Sequence, residues 1–555
     1  MSDKKRVLLV SEAHYLASGF GTYSKQILRR LQDTGKYEIA EFASYGKASA
    51  VQDTDWLFYA NMVEDNTPPE EKEDYHKNGI YQFGSWRFDR VCLDFKPDIV
   101  LCYRDPWMDM WIKDSPLRPY FHWVWMPTVD SSPQRQEWIN AFSECDALFG
   151  YSEFGVKVLN DQGKESVNVI GCASPGIDPS VYTPVADKKT HRKNLGIDPD
   201  SFIVGTVMRN QRRKLFFELM KSFRLFLDKA PSDIANKSYL YLHTSYPEPS
   251  GWDIPDGMMQ NSLGGKILMT YICRECKKFS CQLFHDAMAR CPHCNNLSAV
   301  CPTVGFGLKI EELVEVYNLF DLYAQYAICE GFGMPQVEAA SCGIPVAATN
   351  YSAMEDVVGH TKGFPIPVQK FFRELETNAE RAYPDNEAMA DIMLEFSLSS
   401  EKYRLTKSME ARAGAASRYN WDDTAKQWEN YIDDYVPIDK QGKWDAPPSF
   451  PSVPENKPDN FSSNNEFVKW IFAEVMKEPD KLHKEEGLRL IRDLNFGAQI
   501  TFGSLNPLNQ QNVFDMYKGR AINKLQAERV RCGALPIANA SYIAEAYNRR
   551  RSQDG

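Results

Sequence analysis

The chain has 555 residues, 43% of them hydrophobic and 25% charged, and a formal net charge of −11. That balance fits a soluble globular enzyme of several domains and argues against a membrane protein, a disordered chain or a general polyanion binder. No apolar run approaches the ~20 residues that span a bilayer. The stretch Val7–Val10 after the basic start is too short for a secretory core, so a cytoplasmic location is expected.

The first 185 residues alternate short apolar runs with helical stretches. Strands are predicted at Arg6–Val10, Tyr37–Ala43, Asp98–Cys102, Tyr120–Trp125, Ala147–Gly150 and Val167–Ile170, with helices such as Thr22–Leu31 and Pro133–Glu144 between them. A second alternating run has strands at Phe202–Val207, Ser238–His243, Ile267–Tyr271, Asp321–Gln325 and Pro345–Ala348. Its helices are predicted at Arg212–Leu227, Ile310–Leu319 and Met334–Ser341. Alternation of this kind means βαβ units and two open parallel sheets. Helices are expected from Asn386 to Tyr435. Six prolines between 437 and 465 mark an extended linker. Residues 466–555 read as helical, with a local net charge of +3.

Chemistry-bearing residues cluster where strands end. The first strand runs into Ser18-Gly19-Phe20-Gly21-Thr22 and then a helix. Glycines at such a turn admit a phosphate to the helix N-terminus, and they serve a tight turn equally well. Position 24 is Ser, so the third glycine of a dinucleotide fingerprint is missing. The fourth predicted strand carries His122, and Asp130 follows its carboxyl end, which in open α/β sheets faces the ligand crevice. His122 is read first as a packed histidine, Asp130 either as a helix cap or as a cleft group.

After Phe202–Val207, Arg209 and Lys214 suit a diphosphate. The block Glu330-Gly-Phe-Gly-Met-Pro335 followed by Glu338 places two carboxylates and a glycine-rich helix start together. Carboxylates there accept hydrogen bonds from sugar or ribose hydroxyls, and the exposed amides hold phosphate oxygens.

Six of the thirteen cysteines fall between Cys273 and Cys301. Cys273-x-x-Cys276 and Cys291-x-x-Cys294, fourteen residues apart, have the spacing of a structural zinc ribbon. Cys281, His285, His293 and Cys301 are spare candidates.

Over roughly residues 5–435 the chain resembles the retaining GT-B glycosyltransferases of glycosyltransferase family 4. The resemblance rests on the glycine loop at 18–22, Ser174-Pro-Gly176-Ile-Asp178 with Tyr182 and Pro184, Arg209 with Lys214, the Glu330…Glu338 block, and Tyr419-Asn420-Trp421. It implies an α/β fold of two Rossmann-like domains facing a cleft. Here these would be residues 1–185 on the acceptor side and 186–436 on the nucleotide-sugar side. A zinc ribbon is inserted at about 271–302. A Pro-rich linker at 437–465 and a helical domain at 466–555 follow.

The resemblance also implies that Glu330 contacts the transferred sugar, Glu338 the ribose, and Arg209 and Lys214 the diphosphate. Phe332, Gly333 and Met334 would add amides to the donor, and Gly19 and Gly21 would approach it. The implied reaction is sugar transfer from a nucleotide-diphosphate sugar to an acceptor hydroxyl with retention and no catalytic metal. Its first-domain polar group lies between Asp130 and His122, because the usual His-Asp pair is missing from this loop. A phage-type enzyme modifying a hydroxylated DNA base and a GT-B sugar-nucleotide epimerase are the alternatives. Acceptor and oligomeric state are not readable from the residues.

Overall fold

The computed structural model describes residues 4–51, 54–115, 117–303, 305–435, 453–483, 485–497 and 509–531. Most of the predicted linker and the basic tail at 549–551 lie outside them.

The first sheet has seven parallel strands: β1 Lys5–Glu12, β2 Tyr37–Ser44, β3 Leu57–Ala60, β4 Ile99–Cys102, β5 His122–Trp125, β6 Ala147–Gly150 and β7 Val169–Cys172. Their spatial order is β3-β2-β1-β4-β5-β6-β7. This order reverses beside β1, so the carboxyl ends of β1 and β4 flank the crevice where such sheets bind ligands. The strands are short and nearly all buried, as Val/Ile/Leu-rich runs covered on both faces must be. β3 was missed by the sequence reading. It is a four-residue edge strand, Leu57-Phe-Tyr-Ala, whose residues are exposed or half-buried.

The second sheet contains β8 Phe202–Val207, β9 Ser238–His243, β10 Ile267–Cys273, β11 Phe279–Leu283, β12 Met288–Arg290, β13 Leu297–Val300, β14 Leu322–Gln325, β15 Val346–Thr349 and β16 Phe364–Ile366. Its order is β12-β13-β10-β9-β8-β14-β15-β16, with β11 also pairing β10. β8, β9, β10, β14, β15 and β16 are parallel, whereas β11 and β13 run antiparallel to β10. The antiparallel group is the inserted ribbon, grown directly from a core strand of the second domain. A separate hairpin, β17 Val368–Arg373 with β18 Glu380–Pro384, was not foreseen.

Helices Asn386–Leu398, Glu401–Arg418 and Trp421–Asp434 follow as predicted. The last crosses back to the first domain. Gly176 makes the crossing possible, since a Cβ there would lie 2.3 Å from the backbone N of Trp421. Trp428 then donates its indole N–H to the Tyr23 hydroxyl at 2.8 Å, and Lys36 pairs with Glu429 and Asp433. The C-terminal region folds as helices Asn464–Trp470, Glu485–Gly497 and Gln510–Arg531 around Phe467, Ile471, Phe472, Leu494 and Phe514. Among the described residues no helix is long and apolar enough to cross a membrane.

Candidate active site

Glu330 is the hub. It lies five residues beyond Gln325, the last residue of β14, and is only 4% exposed. Lys214 donates to Oε1, Gln325 donates to the same oxygen at 2.7 Å, and Arg213 donates to Oε2 at 2.8 Å. The Glu330 amide donates to the Ser352 hydroxyl at 3.0 Å.

Local backbone explains the convergence. The predicted helix Arg212–Leu227 is broken. Arg212–Lys214 forms one 3₁₀ turn, Leu215 takes φ 31°, and the α-helix begins only at Phe216. That left-handed leucine turns Arg213 and Lys214 toward Glu330 instead of leaving them at a helix start. Ser352 is also at positive φ, 55°. Two such non-glycine residues beside one carboxylate fit a site where strain is tolerated for geometry. Burial and the neighbouring Arg213 charge push the Lys214 ammonium well below its usual range.

Arg209 does not join this cluster. It is half-exposed and pairs with Glu248 at 3.0 Å, whereas Arg213 is the arginine that joins Lys214 on Glu330. Arg213 was visible in the run 209–214, but only the break at Leu215 reveals which cation turns inward.

Gly333, at φ 84°, precedes helix Met334–Ser341 and requires glycine. The Phe332 ring packs edge-on against Tyr419, which leaves its amide rather than its side chain for a ligand. Glu338 accepts from the Tyr317 hydroxyl at 2.6 Å and from Tyr182 at 3.2 Å. Burial raises its carboxyl, and the two phenols oppose the rise.

In the first domain, Gly21 is demanded by its turn, since a Cβ would sit 2.6 Å from the Leu16 carbonyl oxygen. Gly19 faces open space. Ser18 caps the helix by accepting from Gly21 N at 3.0 Å.

His122 stands apart from the cleft. It is the first residue of β5, in register with the first residue of β4, and so lies at the amino edge of the sheet. Its ring stacks on Tyr435 at 3.9 Å and bonds the Tyr431 hydroxyl at 2.8 Å. The packed reading therefore fits its surroundings, and the cleft role considered for it does not.

Asp130 does lie at the cleft, and it is not the helix cap, because that helix begins at Gln136 with Arg135 as its cap. Its Oδ1 accepts from Arg381 of β18 at 2.8 Å, and Cys329 donates to its Oδ2 at 3.2 Å. Burial would raise its carboxyl, but Arg381 and the hydrogen bonds prevail and hold it below the usual range. An ionised, occupied carboxylate is a weak general base.

Asp105, after β4, was not foreseen. Burial pushes its carboxyl up to about 6 against the opposing pull of Thr128 and Arg213. It forms no ion pair among the described residues. Only tertiary burial distinguishes it, so Tyr103-Arg-Asp-Pro-Trp107 carried no signal.

Ionising Asp105 is penalised in the fold above about pH 6, and the penalty vanishes below its unfolded value of about 4. Asp105→Asn is expected to stabilise the protein by roughly 2–3 kcal/mol at pH 7.5 and by almost nothing at pH 4, measured by urea midpoints.

The two domains meet at Thr128 and Gly331. A Cβ on Gly331 would lie 2.4 Å from Thr128 Cγ2. Gly331→Ala is expected to lower kcat/KM about 10- to 100-fold by holding the cleft open. Thr128→Ser removes that methyl, and the double variant is expected to recover.

The four ribbon cysteines come together. Cys273 Sγ lies 3.6 Å from Cys294 Sγ, and Cys276 Sγ lies 3.7 Å from Cys291 Sγ. All four sulfurs fall within 4.8 Å of one another. A tetrahedral zinc with sulfurs at 2.3 Å sets them about 3.8 Å apart, so the residues fit the ion. Each knuckle ends on a left-handed residue, Lys277 at φ 61° and Asn295 at φ 62°. Amides of Cys276 and His293 donate to Cys273 and Cys291 Sγ, both at 3.4 Å. Two of the four spares are engaged elsewhere: Cys281 accepts from the Tyr241 hydroxyl, and His293 bonds the Phe279 carbonyl.

This architecture is that of the GT-B glycosyltransferases. A sucrose-phosphate synthase from Thermosynechococcus elongatus superimposes over 78% of this chain and 98% of its own, with a TM-score of 0.56 and 16% identity. Anabaena HepE in complex with UDP and glucose superimposes over 78% and 100%, with a TM-score of 0.54 and 13% identity.

Within that fold, residues 301–388 match the family Glycosyl transferases group 1. The resemblance to glycosyltransferase family 4 thus holds for the fold and for the segment that carries Glu330 and Glu338. A D-inositol 3-phosphate glycosyltransferase of Stackebrandtia nassauensis is 25% identical over 221 residues, 40% of this chain and 42% of the relative. One from Corynebacterium urealyticum is 26% identical over 261 residues, 46% and 49% respectively. The chain spans less than half the length of these curated relatives.

Proposed function

We propose that the protein transfers a sugar from a nucleotide-diphosphate sugar to an acceptor hydroxyl with retention of configuration. The observation that carries this reading is the convergence of Arg213, Lys214 and Gln325 on buried Glu330, at the helix start beyond β14 and against the first domain. In this structure the cations and the carboxylate satisfy one another. A donor exchanges both sides of the pair: its diphosphate takes Lys214 and Arg213, and its sugar hydroxyls take Glu330. Charges that would otherwise be buried unpaired then meet complementary groups, and the cations stabilise the charge that develops on the leaving diphosphate.

Glu338 would exchange its two phenols for the ribose diol. Amides of Phe332–Met334, at a helix N-terminus, favour the donor's anionic and sugar oxygens. Arg209 reaches the diphosphate by leaving Glu248. Asp105 and Thr128 face the same cleft from the first domain and suit an acceptor hydroxyl, which a carboxyl with a raised pKa can hydrogen-bond. No covalent carboxylate intermediate is needed, since the donor phosphate accepts the acceptor proton. A zinc ion on Cys273, Cys276, Cys291 and Cys294 would be structural.

The test is a panel of nucleotide sugars with polyol and sugar acceptors, including the inositol 3-phosphate named for the relatives. Products are read by proton NMR. The expected product keeps the donor's anomeric configuration; inversion would remove the retaining assignment.

A further inference from the structure

The β17–β18 hairpin forms a two-stranded sheet of its own, and its second strand lies between the two domains. On the donor side, Ala382 N donates to the Ile328 carbonyl at 3.0 Å, two residues before Glu330. On the acceptor side, Glu380 N donates to the Ser132 carbonyl at 3.0 Å. Tyr351 reinforces that joint, with its hydroxyl accepting from Ser132 N at 3.1 Å and donating to the Glu380 carbonyl at 2.8 Å.

Between these two ties sits Arg381, its side chain 6% exposed. Its Nη1 donates to Asp130 Oδ1 at 2.8 Å and to Cys329 Sγ at 2.9 Å. Its Nε and Nη2 donate to Glu374 Oε2 at 2.9 and 2.7 Å, so Glu374, from the hairpin's own turn, fixes the guanidinium plane. One fork thus holds the loop after β5 and the residue before Glu330 together.

We propose that this hairpin is a clasp across the cleft, and that Arg381 is a positioning residue. Through Asp130 it sets the 126–133 loop, and with it Thr128, in register with the donor-holding residues Glu330 and Gly331. Asp130 then has a definite task, as the clasp's anchor rather than a base. The activity readout rests on the transfer reading above; the clasp itself does not.

Its test uses the full chain and the variants Arg381→Gln, Asp130→Asn, their double, and Arg381→Lys. Amide hydrogen exchange over 126–134 needs no substrate. Arg381→Gln and Asp130→Asn are each expected to speed exchange there about tenfold, as for the loss of one charged hydrogen-bonded pair. The double variant is expected to exchange no faster than the worse single, since both remove the same contact. Arg381→Lys, which keeps one charged donor, is expected to stay within about threefold of wild type.

In turnover, Arg381→Gln is expected to lower kcat about tenfold and to leave nucleoside diphosphate affinity within about threefold, because Arg213 and Lys214 are untouched. Exchange within twofold of wild type in Arg381→Gln, or additive effects in the double variant, would overturn the clasp. If exchange responds as expected but wild-type protein transfers no sugar, the clasp stands and the transfer reading falls.

Discussion

Lys214→Ala is expected to lower kcat for sugar transfer about 100- to 1000-fold, the range for removing one preorganised group that stabilises developing charge. Lys214 is buried, is the last residue of the 3₁₀ turn that left-handed Leu215 ends, and donates to Glu330 Oε1. Arg213 stays on Glu330 at 2.8 Å, which keeps that carboxylate paired and limits the folding cost of the variant. Glu330→Ala is different. It leaves a buried ammonium without its carboxylate and is expected to cost about 3–5 kcal/mol of stability as well as activity. Comparing the two by thermal denaturation and steady-state kinetics separates catalysis from folding. Equal kcat in wild type and Lys214→Ala would remove Lys214 from the reaction.

Removing a zinc ion held by the four clustered cysteines is expected to have the second large effect. The ribbon begins within β10, since Cys273 is both that strand's last residue and a ligand candidate. β10 also pairs with β9, β11 and β13, so loss of the ion loosens the second sheet and not only a surface knob. The ribbon also reaches Phe306, whose ring centre lies 5.3 Å from Lys277 Nζ. Structural zinc supplies folding free energy outright. A loss of even about 3 kcal/mol corresponds to roughly 6–12 °C in Tm for a domain of ~200 residues. Purified protein is expected to carry one zinc per chain by elemental analysis. Cys276→Ser or chelation is expected to produce that drop. Stripped protein melting within about 2 °C of the loaded form would contradict a structural role.

The sheets were legible because core strands such as β1, β4 and β8 carry uninterrupted apolar segments, Val7–Val10, Ile99–Cys102 and Phe202–Val204. The ribbon was legible because thiolate ligation imposes fixed spacing. Glu330 and Glu338 were legible because a glycine-rich helix start between two carboxylates has few other uses. The β17–β18 hairpin was not legible. Its strands Val-Gln-Lys-Phe-Phe-Arg and Glu-Arg-Ala-Tyr-Pro mix polar and apolar residues, and it is held by partners 52 and 251 residues away.

Asp130 and His122 show the same limit at one strand. Local sequence allowed either to be the polar cleft group. Register against β4 puts His122 at the far edge, and Arg381, from another domain, takes Asp130. Asp105 gains its character only from what packs over it.

The central claim is that the Lys214–Glu330 cluster is a nucleotide-diphosphate site. The most direct test is calorimetric titration of UDP, GDP, ADP, CDP and dTDP into wild type and Lys214→Ala. Binding of at least one of them at a single site per chain is expected, weakened about 100-fold in the variant by loss of a buried charge-assisted contact. No binding by any of the five at millimolar concentration, or equal binding to both proteins, would contradict it.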